Sequence, residues 1–155
     1  PWLLGMLVAL VAAELTDVGV RWPNDLVIGD RKVGGLLHER PTVDGRPVSI
    51  VGLGMNLRRA TLPPEVAGIA ISLEEAERPV PDPVLFWEGL FGALRSEPRP
   101  VHWGDLAPRW ARRDATPGKR YRLPDGRSTV ALGIGAGGEL LTPLGPVDAA
   151  EALFG

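Results

Sequence analysis

Residues 21–25 place an amide and a carboxylate at the end of a predicted strand, where they could hold Mg²⁺ and nucleotide phosphates. The two side chains belong to Asn24 and Asp25, which follow Pro23. Because proline fixes φ and because Asn and Asp both tolerate turns, a purely structural corner explains the same residues about as well. The local chemistry therefore leaves both interpretations open.

Residues 31–37 combine a lysine with two consecutive glycines in a predicted strand. A strand led by solvent-exposed charge is the usual explanation, but Gly34 and Gly35 weaken it because adjacent glycines cost order and packing. A ligand lying on exposed backbone amides explains them better. Lys32 is one of two lysines among 17 basic residues, and its compact ammonium suits a single carboxylate or phosphate oxygen in a tight pocket.

Residues 48–57 give the clearest strand pattern in the chain. With a period of two, positions 51, 53, 55 and 57 form an apolar face, and the opposite face carries Gly52, Gly54 and Asn56. Glycine inside a strand often marks the close approach of another group. Asn24 and Asn56 are the chain's two asparagines, so rare residue types collect on neighbouring predicted strands.

Three further patterns resemble known motifs but lack the context that those motifs need. Residues 133–138 fit G-x-G-x-x-G, yet they lie between β-like runs with no helix, so a hairpin turn is expected. Residues 118–120 lack the spacing of a P-loop. His38 precedes Glu39 but has no second histidine four residues on, as a zinc protease motif requires.

A basic stretch between residues 109 and 122 is open to two interpretations. The usual meaning is a solvated face, and the functional alternative is a docking surface for an acidic partner or nucleic acid. Its members are Arg109, Arg112, Arg113, Lys119, Arg120 and Arg122.

A small set of elements has to position these residues. Hydrophobic periodicity, turn residues and a Ser72–Glu75 capping pair define their order. The predicted elements are a helix over 1–16, a strand at 20–22, a hairpin joining 26–28 to 32–39, a loop over 41–47, a strand over 48–57, and helices over 72–78, 84–96 and 106–113.

From residue 115 the pattern changes to short β-like runs at 120–123, 128–134 and 140–144, separated by turns. We therefore predict a boundary at this point. One domain covers residues 1–114, and a small β-barrel-like module covers residues 115–155.

Composition limits the classes of function. The chain has 155 residues, about one domain, with 45% hydrophobic residues and a formal charge of −2, so no global charge favours nucleic acid. The absence of cysteine excludes disulfides and thiolate chemistry and fits a reducing cytoplasm. The longest apolar run, 1–13, is shorter than the ~20 residues of a membrane span. Because the chain begins with proline, we expect it to be part of a longer protein.

Taken in order, residues 21–26, 31–39 and 52–57 resemble the biotin protein ligases. That family carries K-W-P-N-D-L, then R-K-(L/V)-x-G-I-L-x-E, then G-x-G-x-N-L, and this chain has RWPNDL, RKVGGLLHE and GLGMNL at matching spacing. Residues 131–134 and 138–141 are similar to the family's C-terminal module. The resemblance implies an α+β catalytic domain with a class II synthetase-like mixed sheet and helices, followed by a small SH3-like β-barrel.

The resemblance also implies a two-step, ATP-dependent ligation. The biotin carboxylate attacks the α-phosphate of ATP to give biotinyl-5′-AMP and pyrophosphate, and a lysine of a biotin carboxyl carrier protein then attacks the mixed anhydride. Mg²⁺ would accompany the ATP. Since two anions must meet, positive charge at their junction lowers the barrier.

The family's functional residues carry over to matching positions of this sequence. Lys32 is the implied catalytic residue, placed beside the biotin carboxylate and the α-phosphate, and Asn24 and Asp25 are the implied magnesium ligands. The implied biotin-binding residues are Lys32, Gly34, Gly35, Gly52 and Gly54, and the implied ATP-binding residues are Asn24, Asp25, Leu37 and Asn56.

Two departures from the family pattern affect the expected activity. Arg21 stands where the family has Lys, which keeps the charge but changes the donor geometry. The family's G-R-G-R-x-G-R loop, which supplies arginines to biotin and adenylate, lies upstream of the first helix and is not in this sequence. We therefore expect the chain to be N-terminally incomplete and weak or inactive as it stands.

Two alternatives remain beside biotin ligation. One is a lipoate ligase-type acyltransferase, which shares the fold, and the other is a non-catalytic relative that only binds ligand or carrier. We expect a cytoplasmic protein with no membrane or nucleic-acid partner through this chain, and a homodimer is compatible with the sequence.

Overall fold

The computed structural model describes residues 2–59, 64–123, 125–148 and 153–154. A helix is followed by a four-stranded antiparallel sheet, a second helical region and two small sheets. The helices are α1 (Trp2–Thr16), α2 (Pro64–Ala67), α3 (Pro83–Ser96) and α4 (Ala107–Trp110). The strands are β1 (Gly19–Arg21), β2 (Asp25–Ile28), β3 (Arg31–Glu39), β4 (Thr42–Val43), β5 (Arg46–Pro47), β6 (Ile50–Met55), β7 (Arg120–Arg122), β8 (Ser128–Val130), β9 (Gly133–Ile134), β10 (Leu140–Thr142), β11 (Gly145–Val147) and β12 (Leu153–Phe154).

Helix α1 forms the centre of the hydrophobic core, as its all-round apolar sequence predicts. Leu10, Ala12 and Ala13 have no exposed surface, and the helix packs against β1–β3 and α3. It ends at Thr16 because Asp17 adopts a left-handed conformation with φ of 51°. Within the described residues, no helix is long and apolar enough to cross a membrane.

The main sheet has the order β1-β2-β3-β6. A tight turn with Gly29 at φ of 58° joins β2 to β3, and a bulge between Leu26 and Val27 shifts their register. Strands β3 and β6 pair so that Gly35 lies opposite Gly54. The predicted alternation on β6 is confirmed: positions 51, 53 and 55 are half-buried against the core, and positions 52, 54 and 56 are exposed.

Several predicted elements differ from the structure. The predicted loop over 41–47 contains the short β4–β5 hairpin, and the predicted helix over 106–113 shortens to α4 after a single 3₁₀ turn at Trp103–Asp105. Residues 73–77 form turns instead of the predicted helix. Ser72 Oγ still accepts the predicted bond from the Glu75 amide at 3.0 Å, but Glu77 has a φ of 55°, which stops helical propagation.

The predicted helix over 84–96 is confirmed as α3, but only part of its apolar surface is buried. Phe86 and Leu90 are buried, whereas Leu85 and Phe91 are 66% and 52% exposed. The periodicity of the sequence predicted the helix. The five apolar residues of this pattern, however, occupy a wider part of the helix surface than the core contacts; they are Leu85, Phe86, Leu90, Phe91 and Leu94.

The C-terminal part contains two three-stranded sheets, ordered β11-β10-β9 and β12-β7-β8. The described strands do not close into a barrel. Just before these sheets, the chain contacts strand β1 of the main sheet. The Ala115 amide donates to the Val20 carbonyl at 2.8 Å, and the Val20 amide donates to the Arg113 carbonyl at 2.9 Å. The boundary between residues 114 and 115 remains a prediction.

Candidate functional site

An open groove of about 710 Å³ lies on the face of β3 and β6 that points away from α1. Every site residue predicted from sequence lines this groove except Asn24 and Asp25, which lie at the neighbouring corner before β2. The lining residues are Lys32, Gly34, Gly35, Leu36, Leu37, Gly52, Leu53, Gly54, Met55, Asn56 and Ala70.

The two glycines of β3 are needed for internal packing. A Cβ atom at Gly34 would lie 2.6 Å from the Gly54 carbonyl oxygen, so this glycine allows β3 and β6 to pair. A Cβ atom at Gly35 would lie 2.9 Å from Cε and 3.0 Å from Nζ of Lys32. Gly35 therefore makes room for the lysine side chain, where the sequence predicted room for a ligand.

The two glycines of β6 instead form an open floor. Among the described residues, a Cβ atom at Gly54 would meet nothing within 4 Å, and one at Gly52 would meet only the Leu37 carbonyl oxygen at 3.9 Å. Side chains here would fill the groove without disturbing the protein. Leu37, which is 62% exposed, provides an apolar surface beside this floor. A flat ligand could lie against the backbone at this place.

Lys32 supplies positive charge to the groove and is held by a carboxylate. Its Nζ atom lies 2.5 Å from Oδ1 of Asp25, and its side chain remains 47% exposed. The other oxygen of Asp25, Oδ2, accepts a hydrogen bond from Nη2 of Arg21 at 2.7 Å. One carboxylate is thus shared by two cations, of which Arg21 is buried and Lys32 faces the groove.

Asp25 does not fit the expected role of magnesium ligand, because both of its oxygens already contact cations. Among the described residues, no group of three His, Cys, Asp or Glu side chains could hold a metal ion. Asn24 is bonded to β3: its side-chain amide nitrogen donates to the Leu36 backbone carbonyl, and the Leu36 amide donates to the Asn24 backbone carbonyl at 2.9 Å. These bonds fasten the corner to β3, as the structural interpretation of residues 21–25 requires.

Asn56 closes one end of the groove together with a segment that the sequence did not identify. Its Nδ2 atom donates to the Ile71 carbonyl at 3.2 Å. The same segment runs beside Lys32, whose amide donates to the Ile69 carbonyl at 2.7 Å, and Ala70 lines the groove. An extended segment could have been predicted here from the sequence, because Ile69 and Ile71 alternate with small residues.

Comparison with known proteins agrees with the motifs. Residues 3–56, which include α1 and the sheet that carries the groove, match the model of the biotin/lipoate A/B protein ligase family. The chain is also 31% identical over 129 residues to the biotin–[acetyl-CoA-carboxylase] ligase of Mycobacterium tuberculosis, an alignment that covers 79% of this chain. These matches make the chain similar to the biotin protein ligases. It spans 46% of the length of the mycobacterial relative, or about half.

Solved structures of biotin protein ligases share the fold. The Aquifex aeolicus R40G mutant in complex with biotin has a TM-score of 0.74 at 19% identity, over 98% of this chain and 70% of that one. The enzyme from the same organism in complex with biotin and ATP has a TM-score of 0.69 at 20% identity, over 100% of this chain and 67% of that one. The mixed α/β architecture expected from the family motifs is therefore confirmed.

The C-terminal region holds the corner that precedes β2. The Tyr121 hydroxyl donates to the Trp22 carbonyl at 2.7 Å, and the Trp22 amide donates to Oγ1 of Thr116 at 2.9 Å. The Trp22 indole donates to the Gly138 carbonyl at 2.8 Å. These bonds join positions about a hundred residues apart, so no local sequence pattern could have predicted them.

Three of the six residues of the basic stretch form ion pairs with other parts of the chain. Arg109 binds Glu14 at 2.6 Å and Glu97 at 2.8 Å, and Arg113 lies 3.0 Å from Asp17. The Arg113 guanidinium holds the pKa of Asp17 below its usual value, with a further contribution from Arg78. Arg109 of α4 thus joins α1 to the end of α3, and Arg113 joins the region after α4 to the end of α1. These two arginines therefore have a structural role, where the sequence suggested a solvated face or a docking surface. Lys119 likewise pairs with Asp30.

Proposed function

We propose that this chain forms the biotin- and ATP-binding sheet of an ATP-dependent biotin protein ligase. The observation that carries the proposal is the exposed ammonium of Lys32 beside the glycine floor of the groove. A backbone floor suits a flat, uncharged ring system, and an ammonium at its edge suits an anion. The family match is consistent with this combination.

The first step would join two anions. A carboxylate oxygen of biotin attacks the α-phosphorus of ATP, and the bond from that phosphorus to the pyrophosphate oxygen breaks. Lys32 would neutralise charge where the carboxylate meets the phosphate. Its stabilising effect would be largest in the transition state, where negative charge is concentrated. Holding both substrates in one groove supplies the proximity that this step needs.

In the second step, a lysine amine of a biotin carboxyl carrier protein attacks the acyl carbon of biotinyl-5′-AMP. An amide forms and AMP leaves with the bonding electrons. Leu37 and Asn56 lie where they could contact the nucleotide, and Gly52 and Gly54 lie where the backbone could contact biotin. We propose magnesium as a companion of the triphosphate and assign no step to a protein-bound ion.

The remaining expectations from the sequence belong to the same proposal. The two C-terminal sheets would correspond to the family's SH3-like module, starting at residue 115. A cytoplasmic location and a homodimer are consistent with such an enzyme. The second candidate is a lipoate ligase-type activity, which is favoured by one observation: the matching family model covers both classes of ligase.

Calorimetric titration and pyrophosphate release test the proposal. In the full-length protein, with the family's arginine-rich loop present, the wild type is expected to bind biotin and ATP and not lipoate, and to release pyrophosphate only when biotin and ATP are both present. Lys32→Ala should reduce release by about 100-fold or more, and Lys32→Arg should also be impaired, because the planar guanidinium replaces a compact charge. Arg46→Ala removes an exposed cation of β5 and serves as the matched control, with unchanged release expected.

Three results would contradict the proposal. Binding of lipoate in preference to biotin would support the second candidate. Binding of biotin and ATP without pyrophosphate release would support a non-catalytic relative. Normal release by Lys32→Ala would show that the role assigned to this lysine is wrong.

A further inference from the structure

We propose that Arg21 is a positioning residue, which sets the place of the Lys32 ammonium in the groove through the carboxylate that both cations share. This inference rests on the proposed function for its consequence in catalysis. Its structural part can be tested separately, because the position of Lys32 can be observed without any reaction.

The contacts define a chain of three charged groups. Arg21 donates to Oδ2 of Asp25 at 2.7 Å, and Oδ1 of the same carboxylate lies 2.5 Å from Nζ of Lys32. Arg21 and Asp25 are 2% and 8% exposed, whereas the Lys32 side chain is 47% exposed. The buried pair is therefore a fixed support, and the lysine is the end that faces the groove.

A second contact keeps Arg21 from turning with Asp25. Its Nη1 atom donates to the Asp30 carbonyl at 3.1 Å, in the turn between β2 and β3. A guanidinium presents several donors in a rigid plane, so these two contacts fix its orientation, and with it the plane of the Asp25 carboxylate. The single ammonium of a lysine has no such plane. Arginine at this position is thus suited to holding Oδ1 of Asp25 toward the groove.

The sign of the charges gives Arg21 a further effect. Arg21, Asp25 and Lys32 together carry one net positive charge, which an anion in the groove can meet. Without Arg21, the carboxylate would be balanced by Lys32 alone, and the pair would be neutral. Arg21 therefore keeps the groove positively charged although Asp25 lies beside it.

Nuclear magnetic resonance of labelled lysine tests the positioning directly. The chain has only two lysines, so ¹³C labelling of their ε-carbons gives one resonance for Lys32 and one for Lys119. In the wild type we expect Lys32 to be restrained, with two distinct ε-proton signals and slow side-chain motion. Arg21→Met should make its ε-protons equivalent and its motion fast. Lys119, which pairs with Asp30, reports separately on any change in the turn between β2 and β3.

A double-mutant cycle shows whether the effect passes through Asp25. Asp25→Asn should release Lys32 as Arg21→Met does, and the combined variant should show no further change. The combined variant also leaves no unpaired charge buried, so it remains usable where Arg21→Met alone fails to fold. A Lys32 resonance that stays restrained in the combined variant, or effects of the two substitutions that add, would overturn the proposal.

Pyrophosphate release gives the catalytic readout. If the proposed function is correct, Arg21→Met should lower kcat by about 10-fold or more with a smaller change in the KM for biotin, because Lys32 acts most strongly in the transition state. A kcat that stays within about 2-fold of wild type while Lys32 is mobile would refute the catalytic part. A wild type that releases no pyrophosphate and binds neither substrate would refute the proposed function, and the resonance data would still decide the role of Arg21.

Discussion

The side chain of Lys32 lies across Gly35. A Cβ atom at Gly35 would be 2.9 Å from Lys32 Cε, closer than such atoms normally approach. The lysine in its present position, where it reaches Asp25, therefore occupies space that a side chain at position 35 would need. The sequence suggested that Gly35 makes room for a ligand. In the structure it makes room for Lys32, the residue that would contact the ligand.

This relationship predicts that Gly35→Ala displaces the Lys32 ammonium. A shift of about 1 Å in a reacting group can reduce a rate by about 100-fold, so pyrophosphate release should fall by about 10- to 100-fold. The displacement should also be visible as a change in the ε-carbon resonance of Lys32, and unfolding by urea would show whether the fold is retained.

Gly54→Ala is the matched control for this substitution, because its methyl group would meet no protein atom within 4 Å. It should leave the Lys32 resonance and the free energy of unfolding nearly unchanged but weaken binding of a ligand that lies on the groove floor. If both variants left the Lys32 resonance unchanged, the assigned role of Gly35 would be incorrect.

The sequence predicted the groove well because alternation in strands assigns faces without knowledge of the fold. Gly52, Gly54 and Asn56 were placed together by a period of two, and Lys32 followed from its neighbouring glycines. The partners of Asp25 were missed because Arg21 lies opposite Asp25 only in the β1–β2 pairing, and Lys32 approaches Asp25 only when β3 pairs with β2. Long-range contacts such as that from Tyr121 to Trp22 leave no local pattern at all.

Loss of the Tyr121 hydroxyl should destabilise the protein. Tyr121→Phe leaves the buried Trp22 carbonyl without the donor that now lies 2.7 Å away, and an unmet buried acceptor typically costs about 1–3 kcal/mol. We expect this decrease in the free energy of unfolding, measured by urea denaturation. Thr129→Val, at another buried polar position on the neighbouring strand β8, provides a comparison for general loss of a hydroxyl in this sheet.

The same tyrosine predicts a decline of stability in alkaline solution. Burial raises the pKa of the Tyr121 phenol well above its ordinary value of about 10. The folded protein therefore keeps the phenolic proton at pH values where the unfolded chain loses it. This contribution is complete below about pH 10 and is lost as the pH rises toward the pKa of the folded state.

Because Tyr121 is the chain's sole tyrosine, ultraviolet absorbance of tyrosinate reports its ionisation directly. Folded protein should show no tyrosinate near pH 10, and the signal should appear together with unfolding at higher pH. Tyr121→Phe should lose stability less steeply over this range than the wild type. A tyrosinate signal with a midpoint near pH 10 in folded protein would contradict the burial of this side chain.

Adjacent residues of α3 should respond differently to the same substitution. Leu90 is 1% exposed and Phe91 is 52% exposed, although both are large, apolar residues of the same helix. Leu90→Ala should reduce the free energy of unfolding by about 2–5 kcal/mol, because it leaves a cavity. Phe91→Ala should reduce the free energy of unfolding by about 1 kcal/mol or less, mainly because it removes the stacking on Trp87, whose ring centroid lies 5.6 Å from that of Phe91. The free energy of unfolding of the two variants, measured by urea denaturation, tests this difference. Equal decreases would contradict it, because they would mean that Phe91 is buried in solution to the same extent as Leu90.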